Sequence, residues 1–258
     1  MTIMSIHPLS AEALMEDRVT AVKKHFDNQA EQYDHCYGLG TICGAQKVER
    51  KTHLLIDFGN IKRGCRVLEL GCGTGVYTEE FARTGAEVFA VDLSQNMLNI
   101  AKHSLNAQNV FYAQADVNKL PFANKSFDSV VGAYVLQCLD LGSCLPEIGR
   151  VLKDNGRVAF VEPNMANPVC FVETKISFVG SKVGQCSEAT AFFSGQLKRV
   201  FRQHGFVDIV TKPIEFVHPH TPPRLVPLSE KISSLLESIP VIKEVAGSLF
   251  ISATLAGH

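Results

Sequence analysis

Residues Arg66 to Gly75 read RVLELGCGTG, and this decapeptide decides the fold. Arg66-Val67-Leu68-Glu69-Leu70 is a short apolar run with an acid near its end, the pattern of a buried strand in a parallel sheet. Gly71, Gly73 and Gly75 follow as a loop with almost no side chain. Beyond them Val76, Tyr77, Phe81 and Ala82 recur at helical spacing. Strand, glycine loop and helix make a unit in which backbone approaches a ligand closely. A dinucleotide fingerprint, G-x-G-x-x-G, would put its third glycine at Val76; here it falls at Gly75.

Working outward, the text after the loop alternates strand and helix. Val88 to Asp92 reads as a second buried strand ending in an acid, and Ser94 as the N-cap of a helix bearing Met97, Ile100, Ala101 and Leu105. Val110 to Ala115 is a third strand, closing on Asp116, and Phe127 to Ala133 a fourth. A helix with Leu145, Ile148, Val151 and Leu152 follows, and Asp154-Asn155-Gly156 turns the chain into a fifth strand, Arg157 to Glu162. Helices between buried strands predict an α/β fold: a Rossmann-like, doubly wound, mostly parallel seven-stranded sheet covered on both faces. Residues 163–190 then lose any clean period. A helix near 190–204, a strand near 206–212, a helix around Ile232 to Ile239 and a strand from Ala246 to Ala253 complete the pattern. Upstream, Val19, Val22, Phe26, Ala30 and Tyr33 predict one amphipathic helix around 11–34, and a second covers roughly 44–58, stopping at Gly59-Asn60. Both read as an N-terminal helical lid, residues 1–60, added to a sheet domain, 61–258, with cap insertions at 163–190 and 213–245.

Composition narrows the class. At 258 residues and 46% hydrophobic content the chain buries a full core, so its eight cysteines are not needed as staples. None forms C-x-x-C or zinc-finger spacing, which points to free thiols in a reducing cytoplasm and to no metal. A net charge of −1 without a long basic run argues against nucleic acid as partner. No stretch reaches the ~18 apolar residues of a membrane span. MTIMSIHPLS at the N-terminus has neither the basic flank nor the apolar stretch of a secretory signal.

Three acids end three successive strands: Glu69, Asp92 and Asp116. In an open parallel sheet the carboxyl ends of the strands border the ligand crevice. Asp92 stands about twenty residues past the loop, where an acid accepts both hydroxyls of a ribose. Asp116 is placed to take a donor such as an adenine amino group. A carboxylate at a strand end also caps helices, so each acid alone has a purely structural alternative.

VLELGCGTG, VDLS, QADVNKLPF, SFDSVVGAYVLQCL and EIGRVLKDNGRVAFVEP, in this order, resemble the motifs of class I S-adenosylmethionine-dependent methyltransferases. The small-molecule group that includes the ubiquinone/menaquinone C-methyltransferases is the most similar, and the resemblance covers roughly residues 20–162. It implies S-adenosyl-L-methionine as cofactor. Gly71 and Gly73 would then lie against its methionine part, Glu69 orient the amino end, and Asp92 hold the ribose with Leu93 on the adenine. Asp116 and Val117 would read the adenine edge, Ala133 and Tyr134 lie near the sulfonium, and Tyr33 in the F-D-x-x-A-x-x-Y-D pattern cover the cofactor. Asp154-Asn155-Gly156 replaces the usual Pro-Gly-Gly. The absence of N/D-P-P-Y/F and of Pro-Cys at the fourth strand disfavours amino-methylation of adenine and C5-methylation of cytosine.

Methyl transfer from a sulfonium needs a nucleophile held roughly 3 Å from the methyl carbon, with water excluded. A base takes the proton when the acceptor is a hydroxyl or an acidic carbon. His218 and His220, in a Pro-rich loop, are the candidate bases. Gln137 is a candidate for orienting substrate, and Glu162 and Cys138 are expected at the same mouth. Apolar residues in the irregular parts, among them Phe171, Phe178, Val179, Phe192 and Phe216, suggest an apolar pocket for a lipophilic or aromatic small molecule accepting methyl on O, N or C. The rival readings are a SAM-binding protein that transfers no methyl, cyclase-like or non-catalytic, and a nicotinamide-dependent oxidoreductase. A thiol or metalloid acceptor is a further alternative, against which the scatter of the cysteines speaks. Oligomeric state is not legible.

Overall fold

A computed structural model describes residues 11–176, 186–217 and 221–257. Its centre is a seven-stranded sheet: β1 (Arg66–Leu70), β2 (Glu87–Asp92), β3 (Val110–Gln114), β4 (Phe127–Ala133), β5 (Leu152–Pro163), β6 (Phe206–Ile214) and β7 (Ser248–Leu255). Their order is β3-β2-β1-β4-β5-β7-β6. β1 to β5 pair in parallel, whereas β7 lies antiparallel between β5 and β6. The expected Rossmann-like, mostly parallel sheet is therefore present, and the strand order reverses at β1 and β4, beside the glycine loop.

Alternation along the strands builds two cores. Leu68 and Leu70 face Leu145, Ile148, Leu197 and Phe201, which come from α6 (Leu141–Val151) and α8 (Ser194–Gln203). Val67 faces the other way, against Leu55, Phe81 and Leu98 of α3 (Ile42–Gly59), α4 (Val76–Arg83) and α5 (Gln95–Ser104). Period-2 strands with apolar residues at every position are what a sheet covered on both faces demands. α3 ends at Asn60, left-handed at φ 54°, the C-terminal stop expected there. Leu55 is fully buried in the second core, so α3 is a layer of the sheet domain rather than an addition to it.

Two expectations change. The single helix expected around 11–34 is α1 (Ala11–Gln29), a 3-10 turn over Ala30–Gln32 and the one-turn α2 (Tyr33–Cys36). Asp154-Asn155-Gly156 is not a helix-to-strand turn but a bulge inside β5, which starts at Leu152. Asn155 is left-handed at φ 60°, and the register against β4 shifts between Phe127 and Ser129. Within 163–190 the chain forms α7 (Pro168–Lys175), capped by Asn167. α9 (Val226–Ser238) lies in the second insertion. Among the described residues no helix is long and apolar enough to cross a membrane.

Candidate active site

A narrow cavity of about 100 Å³ opens at the carboxyl ends of β1, β2 and β4. Its floor is the glycine loop. Gly71 (φ 64°) is pressed by its neighbour: an added Cβ would lie 2.8 Å from Val135 Cγ2. At Gly73 (φ 53°) a Cβ would meet only Tyr33 Cε1, at 4.0 Å, and would fill the space between loop and ring. Nine of the ten expected cofactor residues line this one cavity: Tyr33, Gly71, Gly73, Asp92, Leu93, Asp116, Val117, Ala133 and Tyr134.

The tenth, Glu69, sits behind the loop. It is buried, accepts the Thr78 hydroxyl at 2.6 Å, and does not line the cavity. Burial pushes its carboxyl up to about 8. Asp92 accepts the Gly73 N–H and the Ser94 N–H, both at 2.8 Å. These bonds fix the carboxylate between loop and α5 while leaving lone pairs for ligand hydroxyls. Burial raises its carboxyl above the ordinary range, and the backbone donors pull it back. Asp116 uses Oδ1 to accept both the backbone and side-chain N–H groups of Asn118, each at 2.9 Å. That orientation leaves Asn118 Oδ1 buried without a hydrogen-bond partner, in a residue of the cavity wall. A buried bare acceptor costs free energy unless a donor arrives. Sequence reasoning passed over Asn118, although its place two residues after the strand-end acid was the available signal.

The roof is α1. Met15, Arg18, Val19, Val22 and Phe26 face the cavity, and the helix is clasped to its rim. Asp27 accepts the Ser94 hydroxyl at 2.6 Å, and Asp34 accepts the Thr74 hydroxyl at 2.7 Å. Tyr33 lies beside Phe26 and Tyr37, with ring centroids 6.3 and 4.7 Å away.

The wall after β4 departs from expectation. Gln137 does not reach the cavity; its amide donates to Tyr134 O at 2.9 Å and locks its own turn. Glu162 does not face a mouth either. Its buried carboxylate accepts the N–H groups of Val135, Leu136 and Gln137 at 2.9 to 3.1 Å, holding the turn that Tyr134 enters left-handed at φ 58°. Cys138 does line the cavity. His218 and His220, like Phe178 and Val179, lie outside the described residues, and among the described residues no histidine lines this cavity.

Behind Tyr134 is a polar cluster that the sequence did not announce. Its hydroxyl pairs with Ser248 Oγ at 2.8 Å, which donates to Glu215 Oε2 at 3.1 Å. Lys51 and Lys47 of α3 reach the same oxygen at 2.9 and 3.4 Å, and the Lys51 ammonium lies 5.0 Å from the Tyr134 ring centre. A larger groove of about 750 Å³, between α3 and the end of β6, carries Arg50, His53 and Lys212 and shares no residue with the glycine-loop cavity.

Comparison with known proteins agrees with the geometry. Residues 68–160 match the family model described as "Methyltransferase domain". A ubiquinone/menaquinone biosynthesis C-methyltransferase from Desulfotalea psychrophila is 31% identical over 207 residues, covering 73% of this chain and 83% of that protein. The match spans only 26%, 58% and 64% of the length of the first three curated relatives. A SAM-dependent methyltransferase of Thermotoga maritima superimposes with TM-score 0.65 at 17% identity, covering 90% of this chain and 98% of that one. The [4+2]-cyclase SpnF superimposes equally well, TM-score 0.65 at 18% identity, over 92% of this chain and 96% of that one. The structural matches share the fold; the sequence match over most of the Desulfotalea protein shows that this chain belongs to the class I S-adenosylmethionine-dependent methyltransferase family.

Proposed function

We propose that the protein binds S-adenosylmethionine in the glycine-loop cavity and transfers its methyl group to an O, N or C atom of a small apolar or aromatic molecule. The observation that carries this reading is the convergence on one cavity of an open glycine cradle, two strand-end carboxylates and an unpartnered acceptor, Asn118 Oδ1. Those groups suit a nucleoside with two ribose hydroxyls and an amino-bearing base. When bound, the cofactor supplies an electrophilic methyl group on a sulfonium.

The chain's own residues bind and enclose. Asp92 accepts the ribose hydroxyls, Leu93 packs on the base, and Asp116, Val117 and Asn118 take its edge. Gly71 and Gly73 carry the amino-acid part, with Glu69 acting from behind the loop through Thr78 and the backbone. Ala133 and Tyr134 border the reacting end. α1 and Tyr33 exclude water as a lid; because the cavity beneath them is narrow, entry requires the lid to move. The described parts of 163–190 and 213–245 supply the acceptor's cap, and α1 with α2, rather than α3, contributes the lid. His218 and His220 are retained as candidate bases, and Gln137 as a brace of the turn. Eight free thiols favour a reducing compartment such as the cytoplasm. Neither nucleic acid nor a resident metal is part of this reading.

Calorimetric titration with S-adenosylhomocysteine tests the site, with one-to-one binding expected. Incubation with methyl-labelled cofactor and a panel of quinols, phenols and acyl carboxylates tests the reaction. Binding without label transfer to any acceptor favours the cyclase-like alternative, whose fold is shared.

A further inference from the structure

Two of the eight thiols meet where the cavity wall touches the chain that follows α7. Cys138 ends the 3-10 turn Leu136–Cys138, and Cys186 begins the segment 186–190. They are 8% and 5% exposed and share one apolar cluster with Val22 of the roof helix, packed by Phe26, Leu93 and Ala189. The backbone holds the two segments in register: Thr190 N–H donates to Gln137 O at 2.9 Å. Arg18 of α1 donates to Glu188 O at 3.2 Å and lies 4.0 Å from the Glu188 carboxylate. The other cysteines are placed differently. Cys65 and Cys170 turn to the backbone carbonyls of Asn60 and Gly247, Cys36 ends α2 half-buried outside this cluster, and Cys43, Cys72 and Cys144 are buried apart from it.

The pair is also chemically unequal. The interaction between the two thiols lowers the Cys186 pKa and raises that of Cys138. Cys186 is therefore the sulfur that ionises more readily, with the Cys138 thiol packed beside it in the same cluster. Nothing in the methyl-transfer reading uses either group.

We propose that Cys138 and Cys186 form a peroxide-oxidisable dithiol whose disulfide fastens segment 186–190 to the wall of the cavity. The Cys186 thiolate attacks one peroxide oxygen, breaking the O–O bond and giving a sulfenic acid, while the departing hydroxide gains a proton and leaves as water. The Cys138 sulfur then attacks the Cys186 sulfur. Its proton leaves with the displaced hydroxide as a second water. Two electrons pass from the thiols to hydrogen peroxide, and dithiothreitol returns them. Because Cys138 lines the cavity and the segment grips Arg18 of the roof, oxidation stiffens the layer under which a ligand passes.

The test uses the full-length protein treated with stoichiometric hydrogen peroxide and then alkylated. Peptide mass mapping is expected to find the Cys138–Cys186 linkage ahead of any other oxidised cysteine, and dithiothreitol to remove it. Hydrogen exchange of residues 186–190 is expected to slow at least tenfold in the oxidised form and to be unaffected by peroxide in Cys186→Ser. Cys138→Ser, whose Cys186 lacks a partner, is expected to stop at the sulfenic acid, trapped by dimedone. Linkage of a different pair, overoxidation of either sulfur without linkage, or unchanged exchange after linkage would overturn the proposal. Titration of the reduced protein with S-adenosylhomocysteine judges the cofactor site separately, since mapping and exchange need no ligand.

Discussion

Asp92 carries the heaviest demand of any single residue, since its carboxylate holds Gly73 and Ser94 and still faces the cavity. Asp92→Ala is expected to weaken S-adenosylhomocysteine at least 100-fold by calorimetry, about 2.7 kcal/mol, with the circular dichroism spectrum kept. Unchanged affinity would remove the residue from the site. Glu69 gives a prediction in pH. Its folded-state pKa is raised to about 8 by burial, against an ordinary 4.5, so the native state keeps a proton that the unfolded chain releases. Its contribution is intact below pH 4.5 and is lost as pH rises toward 8. The melting temperature of the wild type should therefore fall across that window more steeply than that of Glu69→Gln, by several degrees. Strand-end acids were legible because chain order places them beside the loop; Asn118 was not, because an unpaired acceptor is a property of packing. Gln137 and Glu162 were misassigned for a related reason. Sequence placed them at the right end of the sheet, but only the left-handed turn at Tyr134 shows that both serve the backbone.

At the scale of elements, α1 roofs the site and is fastened to its rim by side-chain hydrogen bonds. Asp27 accepts from Ser94 and Asn96 and Arg18 donates to Glu188, while Asp34 of the following α2 accepts from Thr74. Asp27→Ala removes a partner of the α5 N-cap and is expected to speed release of S-adenosylhomocysteine about tenfold by stopped flow, with hydrogen exchange rising over 11–36. Equal release rates would make α1 a fixed wall. The amphipathic spacing of Val19, Val22, Phe26 and Tyr33 made this segment readable as one helix. Its break at Ala30–Gln32 was hidden, because a 3-10 turn changes direction without changing apolar spacing much. The β5 bulge was likewise hidden: Asp154-Asn155-Gly156 has turn chemistry, and only pairing with β4 shows that the strand runs through it.

The whole molecule is tied together away from the glycine loop by the Lys51–Glu215–Ser248–Tyr134 cluster, which joins α3, the end of β6, β7 and the turn after β4. Glu215→Ala leaves two lysines near a buried site without their carboxylate. Unfolding in urea is expected to show a loss of about 3–5 kcal/mol. A loss below 1 kcal/mol would mean that water replaces the carboxylate. No local pattern announces this cluster, since its members lie up to 197 residues apart in number, Lys51 to Ser248, and meet only through the sheet order. That order has one more result. β7 is inserted between two strands that precede it, so a nascent chain that has made β5 and β6 has two bare edges awaiting the same partner. Synthesis halted before Ser248 should yield sticky, protease-sensitive fragments, and on the ribosome the sheet of this protein should close only once β7 has emerged.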